Sequence, residues 1–178
     1  MIDRVDVSAS IRKRRVVYQE GVLTQALDFA LYSMLVVLPG FFGSGFFLLG
    51  LRNSDLGVMS WLLLAGGVWF SIAILRNTLR ISRLSEYEVP GDYRIRVQNL
   101  LAKKGWVKVR DTKAICVALL PMSALSWGEQ LTVIYLDGKV LLNTVSFGLY
   151  RIRSPFHVTK CQKISDRFAA ELNAEAAT

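Results

Sequence analysis

Residues 29–51, FALYSMLVVLPGFFGSGFFLLGL, and residues 57–75, GVMSWLLLAGGVWFSIAIL, decide how the rest of the chain is read. Neither run contains Asp, Glu, Lys, Arg or His, and only Arg52 and Asp55 are charged in the turn between them. Each run is close to the roughly 20 apolar residues that cross a hydrocarbon core about 30 Å thick at about 1.5 Å per residue. The pair reads as a transmembrane α-helical hairpin. Buried helices of a soluble core rarely stay uncharged for so long. A cleaved signal peptide has an apolar region of only about 7–15 residues and no second span behind it.

Basic residues next to a span set its orientation. Arg12, Lys13, Arg14 and Arg15 precede the first run, Arg76, Arg80 and Arg83 follow the second, and Arg52 stands alone in the turn. The expected topology is therefore multi-pass in a plasma (inner) membrane, with both termini cytoplasmic and residues 52–57 outside. Those seven flanking residues are expected to form a basic collar at headgroup depth, where each Lys or Arg is attracted to anionic lipid by about 1 kcal/mol. Arg76, Arg80 and Arg83 lie at i, i+4 and i+7, one stripe if the second helix continues that far. Net charge is +8 and pI ≈ 9.8. In a soluble protein that would hint at nucleic acid, but beside two spans the basic run IRKRR is read as membrane docking, and nucleic acid is not an expected partner.

Inside the hairpin, Gly40, Gly43 and Ser44 lie about as far before the turn as Ala65, Gly66 and Gly67 lie after it, and Gly67/Ser71 repeats the small-xxx-small spacing of Gly40/Ser44. Small side chains let two helix backbones approach, within one hairpin or between copies. Pro39 is expected to disturb the first helix by removing a backbone donor. With no ionisable group in either span, a transporter or channel acting alone is not expected.

From residue 85 the text becomes that of a small soluble domain. Three divisions follow: a basic interfacial segment at 1–26, the hairpin with its basic extension at 27–84, and a cytoplasmic α+β domain at 85–178. Asp92 stands at a helix start. Tyr93, Val97, Leu100 and Leu101 form an apolar helical stripe, and Gly105 suits the position after the helix. Residues 106–110 and 114–120 read as strands. Residues 131–136 and 139–147 flank Asp137-Gly138, a strong signal for a two-residue hairpin turn. Cys161, Ile164, Phe168 and Leu172 make a closing helical stripe. The expected fold is an α-β-β-β-β-α two-layer sandwich built on an antiparallel four-strand meander.

The hairpin turn fixes a register of Leu136 opposite Lys139, Tyr135 opposite Val140, Ile134 opposite Leu141 and Val133 opposite Leu142. Because side chains alternate faces, Leu131, Val133, Tyr135, Val140 and Leu142 share one face, apolar enough to hold both helices. The other face carries Ile134, Leu136 and Leu141 beside polar residues. Those three are a candidate patch for a partner, a second copy or the membrane.

Chemistry is sparse. Cys116 and Cys161 lie far apart without metal-ligand spacing and read as buried reduced thiols. His157 is the single histidine, so no multi-histidine metal site exists and no Ser-His-Asp set is argued. No phosphate-binding glycine motif occurs outside the spans. Trp127, Gly128 and Glu129 form a candidate loop site, or a lid on the core. No catalytic, cofactor-binding or metal-ligating residue is assigned, and no cofactor is expected.

The order helix, KKGW, apolar strand, SWGEQLTV at 126–133, Asp-Gly hairpin and final helix resembles the cytoplasmic α/β domains of uncharacterised small bacterial membrane proteins with a two-helix hairpin. The resemblance covers about the last half of the chain and implies no activity or cofactor. The expected function is that of a membrane-anchored, non-enzymatic interaction or scaffold module, with the bilayer and a protein partner or second copy as its contacts. The alternatives are an anionic-lipid or small-ligand binding domain and a membrane-bound enzyme of unknown reaction.

Overall fold

The computed structural model describes residues 4–19, 22–52, 57–89, 91–120, 128–147 and 153–175. The chain forms two compact units, one of residues 20–80 and the other of residues 1–19 together with 81–178.

The first unit is a helical pair, α2 (Val22–Arg52) and α3 (Gly57–Arg80). Asp28–Gly50 and Val58–Arg80 are long and apolar enough to cross a membrane, and little of either is buried within the chain. The core helix of a soluble protein would bury most of that surface, whereas Phe41, Leu48, Leu62 and Trp69 are all exposed here. The two helices meet through their small residues. A Cβ built on Gly67 would collide with the Pro39 carbonyl oxygen, and one built on Gly43 would lie 3.0 Å from that of Leu63. Pro39 has no N–H, which strips the Leu35 carbonyl of its helical donor. One residue on, the Val36 carbonyl accepts a hydrogen bond of 2.6 Å from Ser71 Oγ of the facing helix. Between the end of α2 and the start of α3 the rings of Phe47 and Trp61 pack edge to face at 4.5 Å. Gly67→Ala is expected to destabilise the pair by about 1–3 kcal/mol, because backbone rather than a movable side chain blocks the methyl. Gly66→Ala, which meets nothing within 4 Å, is expected to be neutral. Thermal unfolding of the two variants in detergent micelles measures the contrast.

The second unit is built on a five-stranded antiparallel sheet. Its strands are β3 (Ser85–Glu88), β4 (Val107–Asp111), β5 (Ile115–Leu120), β6 (Gly128–Leu136) and β7 (Lys139–Phe147). Strands β4 to β7 pair with their sequence neighbours, and β3 adds a fifth strand beside β7. Gly138 takes φ +67°, as the tight turn requires, and the β6–β7 register is the one the Asp-Gly turn dictates, from Leu136 opposite Lys139 to Thr132 opposite Asn143. Both sheet edges are poor templates for further pairing. β3 is four residues long and carries Glu86 and Glu88, while β4 carries Lys108 and Arg110 and is interrupted between them by a register shift.

Helices α4 (Tyr93–Lys103) and α5 (Val158–Ala174) cover one face of the sheet. Val97, Leu100 and Leu101 of α4 and Phe168, Ala169 and Leu172 of α5 form a single core with Leu131, Val133, Tyr135, Val140 and Leu142. Asp92 occupies the N-cap position of α4 but makes no side-chain capping bond, and Gly105 closes that helix with φ +73°. A 3-10 turn, Pro155–His157, leads into α5.

The other face is covered as well. The chain's N-terminal segment lies across it as β1 (Arg4–Val5), α1 (Val7–Lys13) and β2 (Tyr18–Gln19). This part of the chain, expected to be a separate interfacial segment, instead folds with the sheet. Asp6 caps α1 by accepting from the Ala9 N–H at 2.9 Å, and Arg14 ends it in the left-handed conformation at φ +49°. The segment is tied by backbone to the stretch that follows α3. Val16 N–H donates to Ser82 O at 2.7 Å and Leu84 N–H donates to Arg14 O at 3.1 Å, on either side of an Arg15–Arg83 bridge. Asn143, buried in β7, donates to the carbonyls of Ile81 and Arg83 and holds that stretch on the sheet.

Candidate functional site

The apolar patch expected at Ile134, Leu136 and Leu141 is not an open surface. Ile134 is 0% exposed and Leu141 5%, packed with Ile115 and Val117 of β5 beneath Val5 and Val16 of the N-terminal segment, with Val7, Ile11, Tyr18 and Leu136 partly buried around them. The alternation of β6 and β7 was legible. The occupant was missed because its apolar residues are irregularly spaced and interrupted by IRKRR. Among the described residues of this unit, the large apolar side chains that stay exposed are Ile95, Val107 and Phe156, one each on α4, β4 and the turn before α5.

The seven basic residues expected to form one collar are divided between the units. α3 ends at Arg80, so Arg76 and Arg80 share its last turns, whereas Arg83 lies past the helix in the bridge to Arg15. The three therefore do not form a continuous helical stripe. Arg12 and Lys13 close α1, and Arg14 sits 3.6 Å from Glu86. Glu86 also accepts from Lys139 at 2.7 Å, and that hydrogen bond and charge hold its carboxyl below the usual carboxylate range.

At the Gly128 end of the β6–β7 hairpin the sheet turns polar. Trp127 lies outside the described residues. Gly128 pairs with Phe147, and Glu129, opposite Ser146, is buried. Its carboxylate accepts from Lys160 Nζ of α5 at 2.6 Å, the lysine being half exposed. Beside it Thr144 and Ser165 share a hydroxyl contact of 2.8 Å. These bonds satisfy groups that would otherwise be costly to bury, and they dock α5 onto β6 and β7.

The reactive side chains are packed away. Cys116 faces the helical core, and burial first, then the Asp111 carboxylate, pushes its thiol up to about 11. Cys161 is likewise pushed to about 11 by burial and then by Glu129. A thiol with so high a pKa is less than about one part in a thousand thiolate at neutral pH, so neither is a ready nucleophile. Both thiols are expected to resist a thiol-titrating disulfide reagent in the native chain and to react within seconds in denaturant. The same shift makes alkali destabilising. Deprotonation is easier in the unfolded chain, so stability contributed below pH 9 is lost as pH rises toward 11. His157 Nδ1 lies 3.0 Å from Ser154 Oγ across the 3-10 turn, a contact local to the start of α5. Among the described residues no group of three or more His, Cys, Asp and Glu is placed to hold a metal ion.

The fold and these sites together define a helical pair apolar enough for a membrane, joined to an α+β unit assembled from both of its flanks. No protein-family model, curated protein or solved structure matches the chain.

Proposed function

We propose that the chain is a membrane-anchored, non-enzymatic interaction or scaffold module that holds a small α+β domain at the cytoplasmic face of a plasma (inner) membrane. The observation that carries this reading is the backbone clasp between Arg14–Val16 and Ser82–Leu84, which draws the segments before α2 and after α3 into one domain. A domain built from both flanks requires those flanks on the same side of the bilayer, which an even number of crossings supplies. The excess of Lys and Arg on those flanks favours the cytoplasmic side. Burial of both thiols and the use of Glu129 in docking α5 support a structural rather than a catalytic role for this chemistry.

Reporter fusions test the placement. A fusion in the turn at Ser54 is expected to report the outside and one after Thr178 the cytoplasm, and an external signal at Thr178 would refute it. Affinity purification from native membranes is expected to recover a stoichiometric partner or a second copy. A chain recovered alone and monomeric, at full expression, would count against the scaffold role.

A further inference from the structure

A groove of about 350 Å³ runs along the last three turns of α3, lined by Trp69, Ile72, Ala73, Arg76, Asn77 and Arg80. These positions fall at i, i+3, i+4, i+7, i+8 and i+11, one stripe of a 3.6-residue helix. At about 100° per residue this stripe lies opposite Gly67 and Ser71, the residues that meet α2. The groove therefore opens away from the helix pair's own interface. Its lining changes character along the axis, from an exposed tryptophan and isoleucine to two guanidinium groups, over about 16 Å at 1.5 Å per residue. Among the described residues no carboxylate pairs with Arg76 or Arg80.

We propose that this groove binds one anionic phospholipid, its phosphate held by Arg76 and Arg80 with the Asn77 amide beside them and its acyl chain laid along Ala73, Ile72 and Trp69. The gradient in the groove matches that of the lipid. Hydrocarbon-facing residues sit where α3 would run through the acyl region, and unpaired cations sit where it would reach the headgroups. Arginine suits the site because its guanidinium presents several donors to phosphate oxygens at once. A second protein helix would instead meet two uncompensated charges at the rim of its apolar face. The inference rests on the membrane placement proposed above.

Native mass spectrometry of the full chain in detergent, titrated with dioleoylphosphatidylglycerol or dioleoylphosphatidylcholine, reads the site directly. The first bound phosphatidylglycerol is expected to be preferred by roughly 30-fold, the equivalent of two guanidinium–headgroup attractions. Arg76→Gln/Arg80→Gln is expected to abolish the preference, and Trp69→Ala to weaken both lipids alike. Arg12→Gln/Lys13→Gln, which removes the same charge elsewhere, is expected to leave the preference unchanged. Equal binding of the two lipids, a preference that survives in the Arg76/Arg80 variant, or full displacement of the lipid by equimolar inorganic phosphate would each overturn the site. A chain that still fractionates with membranes but shows no preference loses only the lipid site. A chain that does not fractionate with membranes loses the anchoring as well.

Discussion

Val133→Asp is expected to abolish the fold of the sheet domain, while Ile134→Asp, one residue on, releases only its N-terminal cover. Val133 is fully buried among α4, α5 and the sheet. A carboxylate buried there costs several kcal/mol, comparable with the whole stability of a domain this size. Ile134 is as deeply buried, but against Val5 and Val16. Its charge can be relieved by lifting residues 4–19 away, which leaves the helical face intact. Limited proteolysis distinguishes the two. The first variant is expected to be degraded throughout, and the second to be cut within the first 20 or so residues while residues 85–175 persist. Protection of the N-terminal segment in Ile134→Asp would show that this contact does not hold it.

Removing residues 1–19 is expected to have the second large effect. Ile115, Val117, Ile134 and Leu141 then face water together, and burying an aliphatic side chain of this kind contributes about 1.5–3 kcal/mol. A contiguous apolar surface on a central part of a sheet associates with whatever is at hand. The truncated chain is expected to bind a hydrophobic dye and to aggregate on extraction. A synthetic peptide of residues 1–19 is expected to suppress both effects, and the same peptide with Val5→Asp and Val16→Asp is not. A truncated chain that stays monomeric and dye-silent would mean that the face has another cover.

What could be read from the sequence was whatever is written locally. Asp137-Gly138 specifies its own turn, the turn specifies the register, and the period of 2 then assigns Val133 and Ile134 to opposite faces without reference to the rest of the chain. The stripes of α4 and α5 were legible for the same reason. Three features were not. β3, SEYE, is too short and polar to read as a strand, and its partner β7 lies more than fifty residues on. The β4 register shift between Lys108 and Arg110 interrupts the plain alternation expected of a strand at 106–110, and Val107 is 56% exposed. The N-terminal cover was hidden by distance, since the sheet residues that Val5 and Val16 cover begin only at Ile115. Arg12 to Arg15 drew attention to the membrane instead. As a result the chemistry of the patch at Ile134 and Leu141 was visible, but its occupant was not.

The clasp between Arg14–Val16 and Ser82–Leu84 makes the apolar helical pair an insertion into a discontinuous domain. The host fold includes the segment up to Gln19, is interrupted for some sixty residues, and resumes at Ile81. From Val16 to Gln19 and from Ser82 back to Ile81 is only a few residues, so the two cut ends lie within about 20 Å of each other. A linker of roughly eight flexible residues spans that gap. Excision of residues 20–80 with such a splice should therefore yield a water-soluble single domain with its N-terminal cover in place. During synthesis the order is reversed. The first residues of the host must wait, unpaired, while the helical pair is made and until strands β5 to β7 emerge, so the domain can close only after that pair has left the ribosome.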